Sequence, residues 1–382
     1  MIVKTKLPCV PLTELLYRKA SGRLLPLSGT FELTPVCNFA CRMCYVRMTP
    51  GQVKCHSRPI LTLEDWRRIA REAREQGMLY LLLTGGEPFL WPDFRTLYEE
   101  LVDMGFLISI NTNGSLIDAD TIRWLRRRPP KRINITLYGA SDATYERLCL
   151  ARGVFDRVDQ AIRGLKEAGI NVKLNCSLTP HNEADLDRML DYAEQNDVVI
   201  DVTSYMFPPI RRDESSVGTN ESRFTPEQAA AYRLKVYRRQ SGPENYQTLL
   251  QNILNGYVEP PGLDEGCVDP VDGRIRCRAG KASFWITWDG WMTPCGLMPE
   301  PRVDLMQTDF AAAWARLAQI SGALRLSGVC DTCPNVRVCH PCAAMAVAET
   351  GSAAGIPQYL CRAVQEMRRI AGAELQSVRN TH

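Results

Sequence analysis

Three cysteines fall at Cys37-x3-Cys41-x2-Cys44, directly after the strand-like segment Thr30-Phe31-Glu32-Leu33-Thr34. Three thiolates can hold a [4Fe-4S] cube by three of its irons and leave the fourth open to a small molecule. That open iron separates a catalyst from a simple electron carrier. Structural zinc is the competing chemistry. Zinc takes four nitrogen or sulfur ligands in paired spacings, and only three ligands cluster in this loop.

A second constellation, Thr84-Gly85-Gly86-Glu87-Pro88, closes a later apolar run. Paired glycines let backbone approach a ligand closely, a carboxylate can receive an ammonium group, and Pro88 holds Glu87 extended. By itself the segment also reads as an ordinary strand-to-helix turn. A third constellation lies towards the C-terminus: Cys277-x12-Gly290-x4-Cys295, then Cys330-x2-Cys333-x5-Cys339-x2-Cys342, then Cys361. A zinc ribbon over 330–342 is the alternative there; the upstream pair and the distant Cys361 argue against it. Cys9, Cys55, Cys149 and Cys176 have no partner at ligand spacing and read as small buried hydrophobes.

The elements that must carry these residues alternate. Apolar runs at 30–34, 79–83, 107–111, 133–137, 171–177 and 198–205 read as buried parallel strands. Helical patterns lie between them at 62–76, from an Asp93 cap to Gly105, and at about 118–127, 154–168 and 182–195. Thr62 suits an N-cap and Gly77 a terminator. Right-handed crossovers joining six such units give an open or partial barrel, with chemistry at the C-terminal strand ends. The cysteine loop, Gly85–Pro88, Asn111-Thr112-Asn113-Gly114 and Tyr138-Gly139 all follow strands, so they share one mouth. Residues 206–223, rich in Pro, Ser and charge, read as a linker or mobile loop. A helical bridge at about 225–256 follows, and 284–292 reads as a hairpin with an Asp-Gly turn.

Composition excludes several classes. With 46 basic and 43 acidic residues the net charge is +3, which implies no strong polyanion partner. The run Arg126-Arg127-Arg128 before Pro129-Pro130 reads as a solvated helix end; without interleaved aromatics it does not suggest nucleic acid. No apolar stretch nears the roughly 20 residues of a membrane span, and the N-terminus lacks a secretory core. A cytoplasmic protein with reduced thiols is expected, its cysteines serving metal rather than disulfides.

On Cys37, Cys41, Cys44 and Gly85-Gly86-Glu87-Pro88 the chain resembles the radical S-adenosylmethionine (radical SAM) enzymes over about 30–205. The resemblance implies a cluster on those three cysteines. Its open iron would be chelated by the methionyl amine and carboxylate of S-adenosylmethionine, with Gly85, Gly86, Glu87 and Pro88 at the amine. Electron transfer would then release a 5′-deoxyadenosyl radical that takes hydrogen from a substrate. Met43 stands where many relatives carry an aromatic residue against the adenine. Asn113 resembles the ribose-side polar residue, and an Asn-Gly turn is the plain alternative. Arg147 could pair with the cofactor carboxylate or be a surface arginine.

The C-terminal cysteines resemble a SPASM domain with two auxiliary [4Fe-4S] clusters. One would use Cys277, Cys295 and Cys342, with Cys267 as a further ligand; the other would use Cys330, Cys333, Cys339 and Cys361. Two residues, not the family's three, separate Cys339 from Cys342, and His340 is an alternative ligand. The expected fold is α/β: a partial (β/α)6 TIM-like barrel followed by a small Cys-rich SPASM domain with a β-hairpin. The divisions are an N-terminal segment 1–29, barrel 30–205, linker and helical bridge 206–260, and auxiliary-cluster domain 261–382.

Enzymes of this subgroup mostly oxidise peptides, so the resemblance implies a crosslink, thioether or dehydrogenation in maturation of a ribosomally made peptide. The alternative is a dehydrogenase or epimerase acting on a small molecule. A formylglycine-forming sulfatase maturase would carry an acidic base where this chain has Gly296. A reductant such as flavodoxin or ferredoxin is implied, with no nucleic-acid or membrane partner. No His, Asp or Tyr stands out as a catalytic base.

Overall fold

The structure is a computed structural model that describes residues 11–257, 274–275 and 277–380; Cys9 and Cys267 fall outside them. Six parallel strands form the expected series: β1 (Ser28–Glu32), β2 (Tyr80–Thr84), β3 (Leu107–Thr112), β4 (Arg132–Thr136), β5 (Val172–Ser177) and β6 (Ile200–Thr203). Helix α1 (Leu12–Arg23) precedes them, and the short α2 (Pro50–Cys55) follows the cysteine loop. The crossovers are α3 (Leu63–Glu75), α4 (Phe94–Asp103), α5 (Ala119–Arg127), α6 (Asp142–Cys149) with α7 (Phe155–Glu167), and α8 (Leu186–Gln195).

Local chemistry sets the helix ends. Thr62 accepts from Asp65 N while Asp65 returns a bond to Thr62 N, a capping box that starts α3. Gly77 ends it at φ +92°, where a side chain would be strained.

The strands are more two-sided than their apolar composition suggests. Leu81, Leu83, Ile108, Ile110, Ile133, Ile135 and Leu174 are buried in the main hydrophobic core. Their alternates, including Ser109, Asn111, Asn134, Thr136 and Ser177, line cavities in the barrel lumen. Period-two alternation therefore gives a hydrophobic outer face and a polar inner one.

The hairpin β7 (Ser283–Ile286) and β8 (Trp291–Thr293) turns at Asp289-Gly290, with Gly290 at φ +90°. It does not form a sheet of its own. β7 pairs in parallel with β1, Phe31 opposite Ile286, and β9 (Val303–Asp304) completes the order β6-β5-β4-β3-β2-β1-β7-β8-β9. The barrel and the cysteine-rich C-terminal part thus share one nine-stranded sheet.

Segment 206–224 is a packed strap rather than a free linker. Met206, Ile210 and Phe224 are buried. Two of its arginines are paired with distant carboxylates: Arg211 with Glu32, side chains 12% and 0% exposed, and Arg223 with Glu349, 7% each. The helical bridge breaks at Gly242-Pro243 into α9 (Pro226–Ser241) and α10 (Pro243–Leu254). After α11 (Phe310–Ala323) come three short helices, α12 (Gly328–Asp331), α13 (Val336–Cys339) and α14 (Ala343–Thr350). The long α15 (Gln358–Asn380) then packs Val364 and Met367 into one cluster with Leu234, Leu250 and Ile253. Among the described residues no helix is long and apolar enough to cross a membrane.

Candidate active site

Cys37, Cys41 and Cys44 occupy the loop after β1, at the C-terminal strand ends, and face one cavity of ≈ 330 Å³. Backbone bonds to the end of α6 fix the loop: Ala40 N to Cys149 O, 2.9 Å, and Arg42 N to Leu148 O, 3.1 Å. Asn113 Nδ2 donates to Asn38 Oδ1, Asn38 Nδ2 to Ser115 Oγ, and Ser115 Oγ back to Asn113 Oδ1, at 2.9, 2.9 and 2.7 Å. This closed ring commits both ends of the Asn113 amide, which also reaches Cys37 Sγ at 3.8 Å. Asn113 therefore positions the cysteine loop while lining the cavity. Met43 lines it too.

Burial pushes the Cys37 thiol up to about 12 and also raises Cys44. Cys41 goes the other way, because hydrogen bonding from the Cys149 thiol outweighs burial, helped by Tyr138. Cys149 is fully buried, as expected, but its thiol serves the site. Backbone donors reach two sulfurs, Phe39 N to Cys37 and Arg47 N to Cys44, both 3.3 Å. Such outer-shell donors tune iron–sulfur sites. Among the described residues no three His, Cys, Asp or Glu side chains converge as a single metal ion requires. A cube carries its irons at separate corners and takes thiols that stand further apart. Buried thiols facing a cavity, with amides aimed at their sulfurs, fit such a cluster.

Gly85 and Gly86 border the cavity, but their need for glycine is backbone packing. A Cβ on Gly85 would lie 2.5 Å from Thr34 O, and one on Gly86 2.4 Å from Val36 O. Glu87 and Pro88 do not line it. The Glu87 carboxylate turns towards β3 and accepts from Thr112 Oγ1 (2.8 and 3.0 Å), Asn113 N (2.9 Å) and Phe89 N (3.2 Å). Burial outweighs these donors and raises its pKa to about 7. Pro88 opens a 3-10 turn that Glu87 caps.

Arg147 does not reach the cavity. It is exposed on α6 and donates to His181 O (2.6 Å) and Thr144 Oγ1 (3.2 Å). Two cations act on the loop, Arg47 near enough to Cys41 to favour its thiolate and Arg212 doing the same for Cys44; the buried Nε of Arg47 has no hydrogen-bond partner among the described residues.

The later cysteines gather in two groups. Cys277, Cys295 and Cys342 interact electrostatically with one another, as do Cys330, Cys333, Cys339 and Cys361. Burial raises Cys339 and Cys342 to about 12. The short spacing before Cys342 does not displace it. Its sulfur accepts from Met345 N at the start of α14.

Tyr45 and Arg211 join the loop to the first of these groups. Tyr45 lies within electrostatic reach of both Cys44 and Cys295. Arg211 sits 5.6 Å from the Tyr45 ring centroid, binds Glu32 through both its Nη atoms, and donates to Gly296 O at 2.6 Å. Trp285 Nε1 donates to the same carboxylate at 2.8 Å.

A family model described as the radical SAM superfamily matches residues 31–193. The chain is 24% identical over 332 residues to the AdoMet-dependent heme synthase of Methanosarcina barkeri, covering 84% of this chain and 92% of that protein. It is 30% identical over 277 residues to a probable GTP 3',8-cyclase of Saccharolobus solfataricus, covering 72% and 84%. Among solved structures, SuiB of Streptococcus suis bound to S-adenosylmethionine superposes at TM-score 0.63 with 18% identity, covering 90% of this chain and 78% of SuiB. anSMEcpe with bound AdoMet superposes at 0.66 with 17% identity, covering 93% and 100%. Those two likenesses concern the fold. The matched span takes in the three-cysteine loop and the Gly-Gly-Glu-Pro turn, and the relatives extend the match across most of the chain: the protein belongs to the radical SAM superfamily, which implies a [4Fe-4S] cluster and S-adenosylmethionine.

Proposed function

We propose that this protein takes a hydrogen atom from a peptide and completes a two-electron oxidation, forming a crosslink, thioether or dehydrogenated residue as a ribosomally made peptide matures. The observation that carries this reading is the pair of C-terminal cysteine groups, one reached from the Cys37–Cys44 loop through Tyr45 and Arg211. Cys37, Cys41 and Cys44 would hold a [4Fe-4S] cluster, and when bound it would supply the electron for reductive cleavage of S-adenosylmethionine. Around it, Gly85, Gly86, Asn113 and Met43 shape the cofactor cavity, and Arg47 offers a nearby cation. Cys277, Cys295 and Cys342, with Cys267, would hold one auxiliary cluster; Cys330, Cys333, Cys339 and Cys361 would hold the other. Oxidation needs such a place for the second electron.

Peptide chemistry is supported by the neighbours that share the fold, which include SuiB bound to precursor peptide SuiA and anSMEcpe bound to Cp18Cys peptide. Formylglycine formation is not supported. A Cβ on Gly296 would lie 2.7 Å from the Trp285 ring, so that position holds no acidic side chain without moving the indole.

A second reading, a polar small molecule, draws on the lumen. Asn134 donates to Asn111 at 2.7 Å, but its own buried Oδ1 has no partner among the described residues. A substrate N–H or O–H would satisfy it. The relatives named for heme and GTP point the same way.

The deciding experiment uses oxygen-free, cluster-reconstituted enzyme with S-adenosylmethionine, a reductant and the peptides encoded beside its gene, in heavy water. Loss of two hydrogens from a peptide establishes oxidation, and gain of one deuterium means epimerisation. An unchanged peptide alongside abundant 5′-deoxyadenosine overturns the peptide reading.

A further inference from the structure

A net charge of +3 conceals a concentration of cations at the N-terminal strand ends, opposite the cofactor mouth. Arg126 and Arg127 end α5, and Arg128-Pro129-Pro130-Lys131-Arg132 leads into β4. Arg126, Arg127 and Arg132 are exposed and make no ion pair among the described residues, while Lys131 stacks over Tyr80 at 4.4 Å. The acids of the adjacent α4 are already engaged: Asp103 pairs with Arg128, Glu100 with Arg67, and Glu99 accepts from Trp124 Nε1. Arg278 joins the same rim from the cysteine-rich part, over Tyr17 at 3.5 Å. A helix C-terminus attracts cations, which accounts in part for Arg126 and Arg127. It does not account for Lys131, Arg132 and Arg278, which come from other segments.

These cations border a path inward. Lys131, Arg132 and Arg278 line a cavity of ≈ 520 Å³ that Cys277 and Cys295 also line, and no carboxylate lines it among the described residues. A positive rim leading to two cysteines of the first C-terminal group fits an acidic, electron-carrying protein. Nucleic acid fits less well, because Pro129-Pro130 interrupts the run and no exposed aromatic side chains alternate with the arginines.

We propose that this face docks an acidic one-electron carrier protein of the flavodoxin or ferredoxin class, which delivers its electron at the strand end opposite the cofactor mouth. The proposal rests on the radical SAM reading for its use of the electron. Each electron leaves the carrier, which is oxidised by one, and is consumed in breaking one C–S bond of S-adenosylmethionine. Entry at the opposite end lets substrate occupy the mouth during reduction.

The test compares wild type with the triple variant Arg126→Glu/Arg127→Glu/Arg132→Glu. Binding of fluorescently labelled flavodoxin to the unloaded full-length protein is titrated at several salt concentrations. Separately, 5′-deoxyadenosine formation by reconstituted enzyme is driven by flavodoxin or by dithionite. Charge steering changes association by about 10 to 10³-fold. The variant should bind flavodoxin at least about tenfold more weakly at low salt, with a shallower salt dependence, and keep its dithionite-driven rate. Binding within twofold of wild type overturns the proposal, as does duplex DNA or RNA competing flavodoxin off at equal concentration. If the triple variant misfolds by circular dichroism, Arg126→Gln/Arg127→Gln is read against the same criteria. Loss of dithionite-driven cleavage in a Cys37→Ala/Cys41→Ala/Cys44→Ala variant that still binds flavodoxin tests the cofactor reading separately.

Discussion

Replacing Glu87 by glutamine tests whether a buried carboxylate holds β2 to β3 behind the cofactor cavity. Every partner of Glu87 is a donor: Oε1 accepts from Phe89 N and Thr112 Oγ1, and Oε2 from Asn113 N and Thr112 Oγ1. A glutamine must put its NH2 against either Phe89 N–H or Asn113 N–H, leaving one buried donor unmet at about 1–3 kcal/mol. The pH dependence runs the opposite way. Burial pushes the folded pKa up to about 7, from an ordinary value of about 4.5. Protonated Glu87 is therefore favoured on folding below pH 4.5, and that stability is lost as pH rises to 7. At 1.36 kcal/mol per pKa unit the loss is about 3 kcal/mol. Glutamine does not titrate, so the stability of wild type relative to Glu87→Gln should fall by about 3 kcal/mol from pH 4.5 to 8, enough to cancel or reverse an advantage of about 1–3 kcal/mol at pH 4.5. Denaturant unfolding of anaerobic, metal-free protein at four or five pH values measures that difference curve. A relative stability of wild type that is flat with pH, or that rises towards pH 8, refutes the assignment of the raised pKa to burial of Glu87.

Four other outcomes are expected. Arg211→Met should destabilise the protein by about 3–5 kcal/mol by stranding the buried Glu32, and Glu32→Gln/Arg211→Met should recover most of it in denaturant unfolding; no recovery would mean that the Gly296 contact dominates. Cys149→Ala should lower the midpoint potential of the reconstituted Cys37–Cys41–Cys44 site, because a donor to the Cys41 sulfur is lost; an unchanged redox titration would remove Cys149 from the site. Arg147→Ala should leave the KM for S-adenosylmethionine unchanged, and a several-fold rise would restore Arg147 to the cofactor. Arg47→Met should raise that KM, since it removes the cation nearest Cys41, and an unaltered value would assign the buried Nε to packing alone.

The barrel was legible because local signals agreed. Thr62 and Gly77 bracket α3 as their chemistry dictates, and all six strands overlap the expected runs, with β1 beginning at Ser28 and ending at Glu32, earlier than expected. The family resemblance grouped the C-terminal cysteines, and Cys342 lies within electrostatic reach of Cys277 and Cys295 despite its shortened spacing. What escaped depends on partners distant in the chain. Composition marks 206–223 as loop-like, but it cannot show that Arg211 meets a carboxylate 179 residues away. Cys149 carries no ligand spacing, and its contact with Cys41 exists only because α6 ends beneath the cysteine loop. Arg147 stood open between the cofactor and the surface for the same reason, and the orientation of α6 turns it out to His181. Gly85 and Gly86 were legible as obligatory glycines, but the close approach they permit is to Thr34 and Val36.

Two buried carboxylates at the ends of neighbouring strands resolve the same electrostatic problem in opposite ways. Glu32, on β1, keeps a guanidinium partner and an indole N–H. Glu87, just past β2, has only uncharged donors, and burial raises its pKa to about 7. An unpaired charge in low dielectric tends to neutralise rather than remain, so near neutral pH Glu87 sheds much of its charge. The consequence is directional. Arg211, held by Glu32, places positive charge beside Tyr45 and Gly296, between the two cysteine sets. Glu87, on the cofactor side, adds little negative charge opposite Cys37 until pH passes 7.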